Sequence, residues 1–163
     1  MFPDDIQTQA DVVIAAAIRR GMMLATAESC TGGLVAGALT AVAGSSASLE
    51  RGFVTYSNAA KTEMLGVPAD LIDRHGAVSE PVARAMAEGA LARGGVGLTV
   101  SVTGIAGPGG GTANKPVGLV HFATADAGGV VHEAYRFGDI GREAVRLASV
   151  RVALGLLLRR LQA

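Results

Sequence analysis

Residues Val96–Thr112 read VGLTVSVTGIAGPGGGT. The first half is uncharged and rich in valine, the pattern of a strand buried on both faces. The second half carries glycine at 104, 107, 109, 110 and 111, so a buried strand empties into a loop from Gly104 to Thr112. Such a strand needs a layer on each side, and the flanking chain supplies both. Downstream, Val117 to Ala125 and Val130 to Phe137 read as a hairpin across Asp126-Ala127-Gly128-Gly129. Arg142 to Leu161 then reads as an amphipathic helix, with Val145, Ala148, Val152, Leu156 and Leu157 facing inward and arginines outward. Upstream, Ile6, Ala10, Val13, Ile14 and Ala17 recur at helical spacing between Asp4 and Arg20, and Gly21 stops the run. Met22 to Ala27 and Gly52 to Tyr56 read as further strands. Asn58 to Leu65, Pro68 to His75, and Ser79 to about Arg93 read as helices. Helices at both ends and strands between predict an α/β fold: a three-layer α/β/α sandwich with a mixed, largely parallel sheet, formed by one domain over residues 1–163.

Composition narrows the functions open to such a domain. Fourteen basic residues balance fourteen acidic ones, so no global positive field exists to hold a nucleic-acid backbone or an anionic membrane. Cys30 is the single cysteine, which excludes an internal disulfide and zinc sites with several cysteine ligands. No run of about 20 apolar residues is present to span a bilayer, and the first residues are acidic. A cytoplasmic location is the expectation. Aromatic residues make up 4% of the chain and Trp is absent, so Ala, Val and Leu must build the core.

Three stretches carry chemistry. Glu28-Ser29-Cys30-Thr31-Gly32-Gly33 joins a strand to a helix, where amides at the helix start could receive a phosphate or an oxyanion. A capped helix with a tight turn would account for the same residues. The loop from Gly104 to Thr112 permits close backbone approach to an anion or a ribose, yet lacks the Lys-Ser/Thr ending of a P-loop. Ser45, Ser46, Tyr56 and Lys61 flank the strand at Gly52–Tyr56 and could converge if its neighbouring loops lie side by side. Amide hydrolysis needs a nucleophile, a base, an acid for the leaving amine and oxyanion donors, and serine, lysine and tyrosine can fill those roles. Lysine serves as the base only if burial lowers its pKa well below about 10.4. Cys30, at a helix start, could act as a thiolate or simply pack. His75, His121 and His132 show no metal-ligand spacing.

Ala27-Glu28-Ser29-Cys30-Thr31-Gly32-Gly33 resembles a signature of the C-terminal domain of the CinA family. Three more blocks resemble it in order: Gly52 to Asn58 with Lys61, His75 to Glu80, and Thr103 to Gly110 with Lys115-Pro116-Val117-Gly118. The resemblance implies a nicotinamide-nucleotide amidase, which hydrolyses nicotinamide mononucleotide to nicotinate mononucleotide and ammonia in pyridine nucleotide salvage. It implies a small-molecule nucleotide substrate, no cofactor, no metal, and a homodimer. It also implies the absence of the pyrophosphatase domain of longer relatives. Carried over residue by residue, it places Ser29, Ser46, Tyr56 and Lys61 in catalysis, and Thr31, Gly32, Thr103, Gly104, Gly107, Gly109, Gly110 and Arg142 around the substrate. Ser29, Ser46, Cys30 and an activated water all remain open as the attacking group. A non-catalytic nucleotide-binding or partner domain, tied to competence and DNA damage, is the alternative function.

Overall fold

The computed structural model describes residues 1–163. Strands β1 (Leu24–Glu28), β2 (Leu49–Val54), β3 (Leu98–Gly104), β4 (Leu119–Asp126) and β5 (Gly129–Arg136) form one sheet in the order β2-β1-β3-β4-β5. β1 pairs in parallel with β2 and β3, whereas β4 and β5 extend the sheet as the expected antiparallel hairpin. Only β4 runs against the other four strands. Helices α1 (Asp4–Arg20), α2 (Leu34–Thr40) and α6 (Arg142–Gln162) cover one face. The other face is covered by α3 (Asn58–Leu65), α4 (Ala69–His75) and α5 (Glu80–Gly94). This is the three-layer α/β/α sandwich that the alternation of elements predicts.

Local chemistry sets the element ends. α1 carries Asp4 and Asp5 in its first turn and Arg19 and Arg20 in its last, charges that complement the helix dipole, and Gly21 closes it at φ 60°. Buried Ile6, Ala10, Val13, Ile14 and Ala17 form its inner stripe. β1 is buried throughout and β3 nearly so, as central strands of a doubly covered sheet must be, while β2 and β5 are exposed edges. The hydroxyls within β3 have a structural use. Thr99 donates to the Ala87 carbonyl at 2.8 Å and Ser101 to the Ala83 carbonyl at 2.6 Å, so one strand face is bonded to α5. Alanines on that helix let it sit this close.

Two differences from the sequence expectation matter for the site. β1 continues one residue past the apolar run, to Glu28, whose backbone pairs with Val54 and Val102. β2 begins at Leu49 and ends at Val54, earlier at both ends than the expected Gly52–Tyr56, and a short 3-10 turn at Ser45–Ala47 leads into it. The chain passes from β1 to β2 over the α2 face and from β2 to β3 over the α5 face. With the order β2-β1-β3, these connections diverge at the carboxyl ends of β1 and β3, the switch point at which open α/β sheets form the crevice that takes their ligands.

Candidate active site

Ser29 is the first residue beyond β1, and its N–H donates to the Val102 carbonyl at 2.9 Å. Strand alternation turns its side chain to the α5 face with Ala25 and Ala27. Lys61 reaches the same point from α3, whose start is fixed by the Ala60 N–H donating to Ser57 Oγ at 3.0 Å. Lys61 Nζ lies 3.0 Å from Ser29 Oγ, 2.9 Å from the Thr55 carbonyl and 3.5 Å from the Tyr56 carbonyl. The lysine is 1% exposed and the serine 8%. None of the molecule's ion pairs involves Lys61. Burial without a counter-ion disfavours the ammonium and lowers the Lys61 pKa from the ordinary lysine value, with Cys30 opposing. In its neutral form the amine can accept the Ser29 hydroxyl proton and still donate to the two carbonyls.

Glu28 corrects one expectation about this turn. It is fully buried on the opposite face, where the Val35 and Ala36 N–H groups donate to its carboxylate at 2.9 and 3.0 Å and the Thr26 hydroxyl at 3.1 Å. The amides at the start of α2 are therefore taken by the protein's own carboxylate and are not a phosphate site. The N–H groups of Cys30 and Thr31, immediately after Ser29, donate to no protein backbone group. Thr31 is fully buried, its hydroxyl has no partner, and its carbonyl accepts from Arg146.

Two candidate nucleophiles drop out on physical grounds. Cys30 is buried, and burial, with Glu28 adding to it, pushes the thiol up to about 11, so the thiolate is scarce at neutral pH. Ser46 is exposed in the 3-10 turn before β2, whereas Lys61 and Tyr56 follow β2. The two loops flanking one strand lie at its opposite ends, so Ser46 and Lys61 are separated by the length of β2, about 20 Å for six residues at about 3.3 Å each.

The remaining residues form the crevice rim. Arg142 opens α6, donating from Nη1 to the Gly107 carbonyl at 2.9 Å and from Nη2 to the Tyr56 hydroxyl at 3.0 Å. It thus ties the glycine loop to the loop after β2. Tyr56 is 63% exposed, above the crevice and not in hydrogen-bond contact with Ser29. Arg146, one turn further along α6, donates to the Cys30 carbonyl at 3.1 Å and the Thr31 carbonyl at 3.3 Å. A side chain at Gly32 would meet this guanidinium. Sequence reasoning missed Arg146, since an arginine on the polar side of an amphipathic helix looks solvated. Thr103 stands beside Ser29 but donates to the Ala77 carbonyl at 2.8 Å.

The glycine loop divides into two parts. A Cβ at Gly104 would lie 2.6 Å from Val120 Cγ2, and one at Gly107 2.6 Å from Val117 Cγ1, so these two glycines permit the loop to pack on the chain leading into β4. At Gly109 nothing lies within 4 Å, and Gly110, at φ 87°, meets only Ile105 at 3.6 Å. Gly109 and Gly110 are the open part, beside a concavity of about 670 Å³ that runs to Arg136 and Asp139.

Comparison with known proteins places the chain in a family. Residues 6–161 match the family model of the CinA C-terminal domain. The CinA-like protein of Parasynechococcus marenigrum is 56% identical over 155 residues, which cover 94% of this chain and 37% of that protein. The CinA-like protein of Syntrophus aciditrophicus is 50% identical over 165 residues, covering 100% of this chain and 39% of its own length. The chain thus spans well under half the length of these curated relatives. Among solved structures, the competence/damage inducible protein CihA from Agrobacterium tumefaciens superposes with a TM-score of 0.96 at 55% identity, covering 100% of this chain and 99% of that one. The competence damage-inducible protein A (ComA) from Klebsiella pneumoniae gives 0.92 at 39% identity, covering 96% and 97%. With a family match over nearly its whole length and relatives identical to it at half or more of the aligned positions, the chain belongs to the CinA C-terminal domain family.

Proposed function

We propose that this chain is a nicotinamide-nucleotide amidase in which Ser29 attacks the substrate carboxamide and Lys61 is the base. One observation carries the reaction class: a buried lysine without a counter-ion, 3.0 Å from a serine hydroxyl at the mouth of the crevice. The family resemblance supports the choice of nicotinamide mononucleotide. Neutral Lys61 takes the Ser29 proton as the oxygen bonds to the carboxamide carbon. The oxyanion develops beside the N–H groups of Cys30 and Thr31. The C–N bond breaks as Lys61 returns its proton to the leaving amine, releasing ammonia and leaving an acyl ester on Ser29. Water then attacks the ester, Lys61 takes its proton, and the Ser29 hydroxyl is restored as nicotinate mononucleotide departs. Tyr56 and Arg142 orient the nucleotide at the rim, and the amides of Gly109 and Gly110 receive its ribose and phosphate.

In this proposal residues 1–163 work as one domain on a small nucleotide, without a cofactor, in the cytoplasm and as a homodimer. No helix is long and apolar enough to cross a membrane. An ammonia-release assay on nicotinamide mononucleotide, nicotinamide riboside and free nicotinamide in parallel tests substrate choice. Release from the mononucleotide, with the riboside a poor substrate, is expected. Equal efficiency on the riboside would remove the phosphate from recognition.

A further inference from the structure

Beyond Thr103 the α5 face of the sheet continues into a second hollow, which shares only Arg136 with the concavity beside Gly109 and Gly110. Register places Ser29 beside Thr103, Thr103 opposite His121 and His121 opposite Ala134, so this floor lies about 10 Å from Ser29 at two strand spacings. The chain from His75 to Ser79 crosses over Thr103, and the bond from its hydroxyl to the Ala77 carbonyl forms a wall between the two spaces. Beyond the wall, His75, Ser79, Asn114, Lys115, His121 and Arg136 are among the residues lining a cavity of about 520 Å³.

The charges around this cavity are uneven. Neither Lys115 nor Arg136 forms an ion pair with a carboxylate, and Lys115 Nζ donates only to the His75 carbonyl, at 2.5 Å. Glu80, the acid at the rim, is bonded to Arg84 at 2.9 Å and faces His132 at 3.6 Å. At the floor, His121 Nδ1 shares a hydrogen bond of 2.8 Å with Nε2 of His132, which does not itself line the cavity, and the two rings stack at 5.1 Å. We infer that this cavity binds a phosphate-bearing small molecule, held by Lys115, Arg136 and Asn114 over His121, at a site distinct from the Ser29–Lys61 crevice.

Two cations without counter-ions at one concave surface suit a doubly charged phosphate, and the volume leaves room for the group that carries it. The histidine pair reports occupancy. Burial first, then His132 and Lys115, push His121 down to about 4, with Glu80 opposing. The groups facing the pair are Glu80 and Arg84 of α5, Lys115 of the loop, and Glu133 and Arg136 of β5. A bound phosphate adds negative charge and raises the titration of both rings.

The test follows the His121 and His132 imidazole nitrogens by NMR while inorganic phosphate or ribose 5-phosphate is titrated into wild type, Ser29→Ala, Lys115→Gln and Arg136→Gln. Saturable shifts in wild type and Ser29→Ala alike are expected. Each charge-removing variant is expected to weaken the affinity by about tenfold, typical of a charge-assisted bond. Tighter binding of the ester identifies a phosphorylated metabolite as the ligand, and tighter binding of inorganic phosphate identifies the free ion. Absence of saturable shifts with both probes, or undiminished affinity in Lys115→Gln, whose lysine lines this cavity and not the concavity beside Gly109 and Gly110, overturns the inference. The readout needs no turnover, so its failure and that of the amidase proposal are separable.

Discussion

An amine 3.0 Å from a serine hydroxyl is a useful base only when it is neutral, and burial decides that for Lys61. The folded state binds the lysine proton more weakly than the unfolded chain does, because the charged form loses water and gains no carboxylate. The sign follows. The lysine's contribution to stability is greatest above its ordinary pKa and falls as pH drops from that value to the lowered folded one. The rate should move in the same direction. In a pH profile of kcat/KM, activity is expected to rise through a single ionisation below the usual lysine value. A profile flat across that range, or one controlled near pH 6.5 as for histidine, would take the lysine out of the proton transfer.

At the scale of elements, the site depends on two anchors that hold the turn after β1 from either side. Glu28 accepts the Val35 and Ala36 amides in the first turn of α2, so Glu28→Ala leaves one buried and one part-buried N–H group without acceptors and should cost about 2–4 kcal/mol in urea denaturation. Glu28→Gln keeps one acceptor oxygen and should cost roughly half as much. Equal costs for the two variants would show that volume, not capping, matters there. From α6, Arg146 holds the Cys30 and Thr31 carbonyls and so aims their amides. Under the proposed mechanism, Arg146→Ala should lower kcat about 10- to 100-fold through misplacement of the turn that carries Ser29, with KM changing less. Lysine there can make one bond but not the fork, so Arg146→Lys should recover only part of the rate. A loss confined to KM would instead place Arg146 in substrate binding.

At the scale of the molecule, the sheet and its covering helices were legible because burial imposes period. Uncharged β3, the helical stripe of α1 and the glycine turn at Asp126–Gly129 each admit one local solution. Ser29 and Lys61 were legible as residue types at loops, and only the fold could bring them together. Ser46 was misplaced because nearness in sequence hid the geometry of a parallel strand, which sends its two flanking loops to opposite ends of the sheet. The roles of Glu28 and Arg146 were hidden because a side chain's direction depends on which face of β1 or α6 it occupies. The glycine loop looked uniformly suited to a ligand, yet Gly104 and Gly107 answer to Val120 and Val117. The most direct measurement is ammonia release from nicotinamide mononucleotide by the wild type and Lys61→Met, with thermal unfolding of both. The wild type should release ammonia with one equivalent of nicotinate mononucleotide. Lys61→Met should lose at least about 100-fold in rate while unfolding at the same or higher temperature, since it removes a buried amine without a counter-ion. No release by the wild type, or near-normal release by a folded Lys61→Met, would contradict the Ser29–Lys61 amidase.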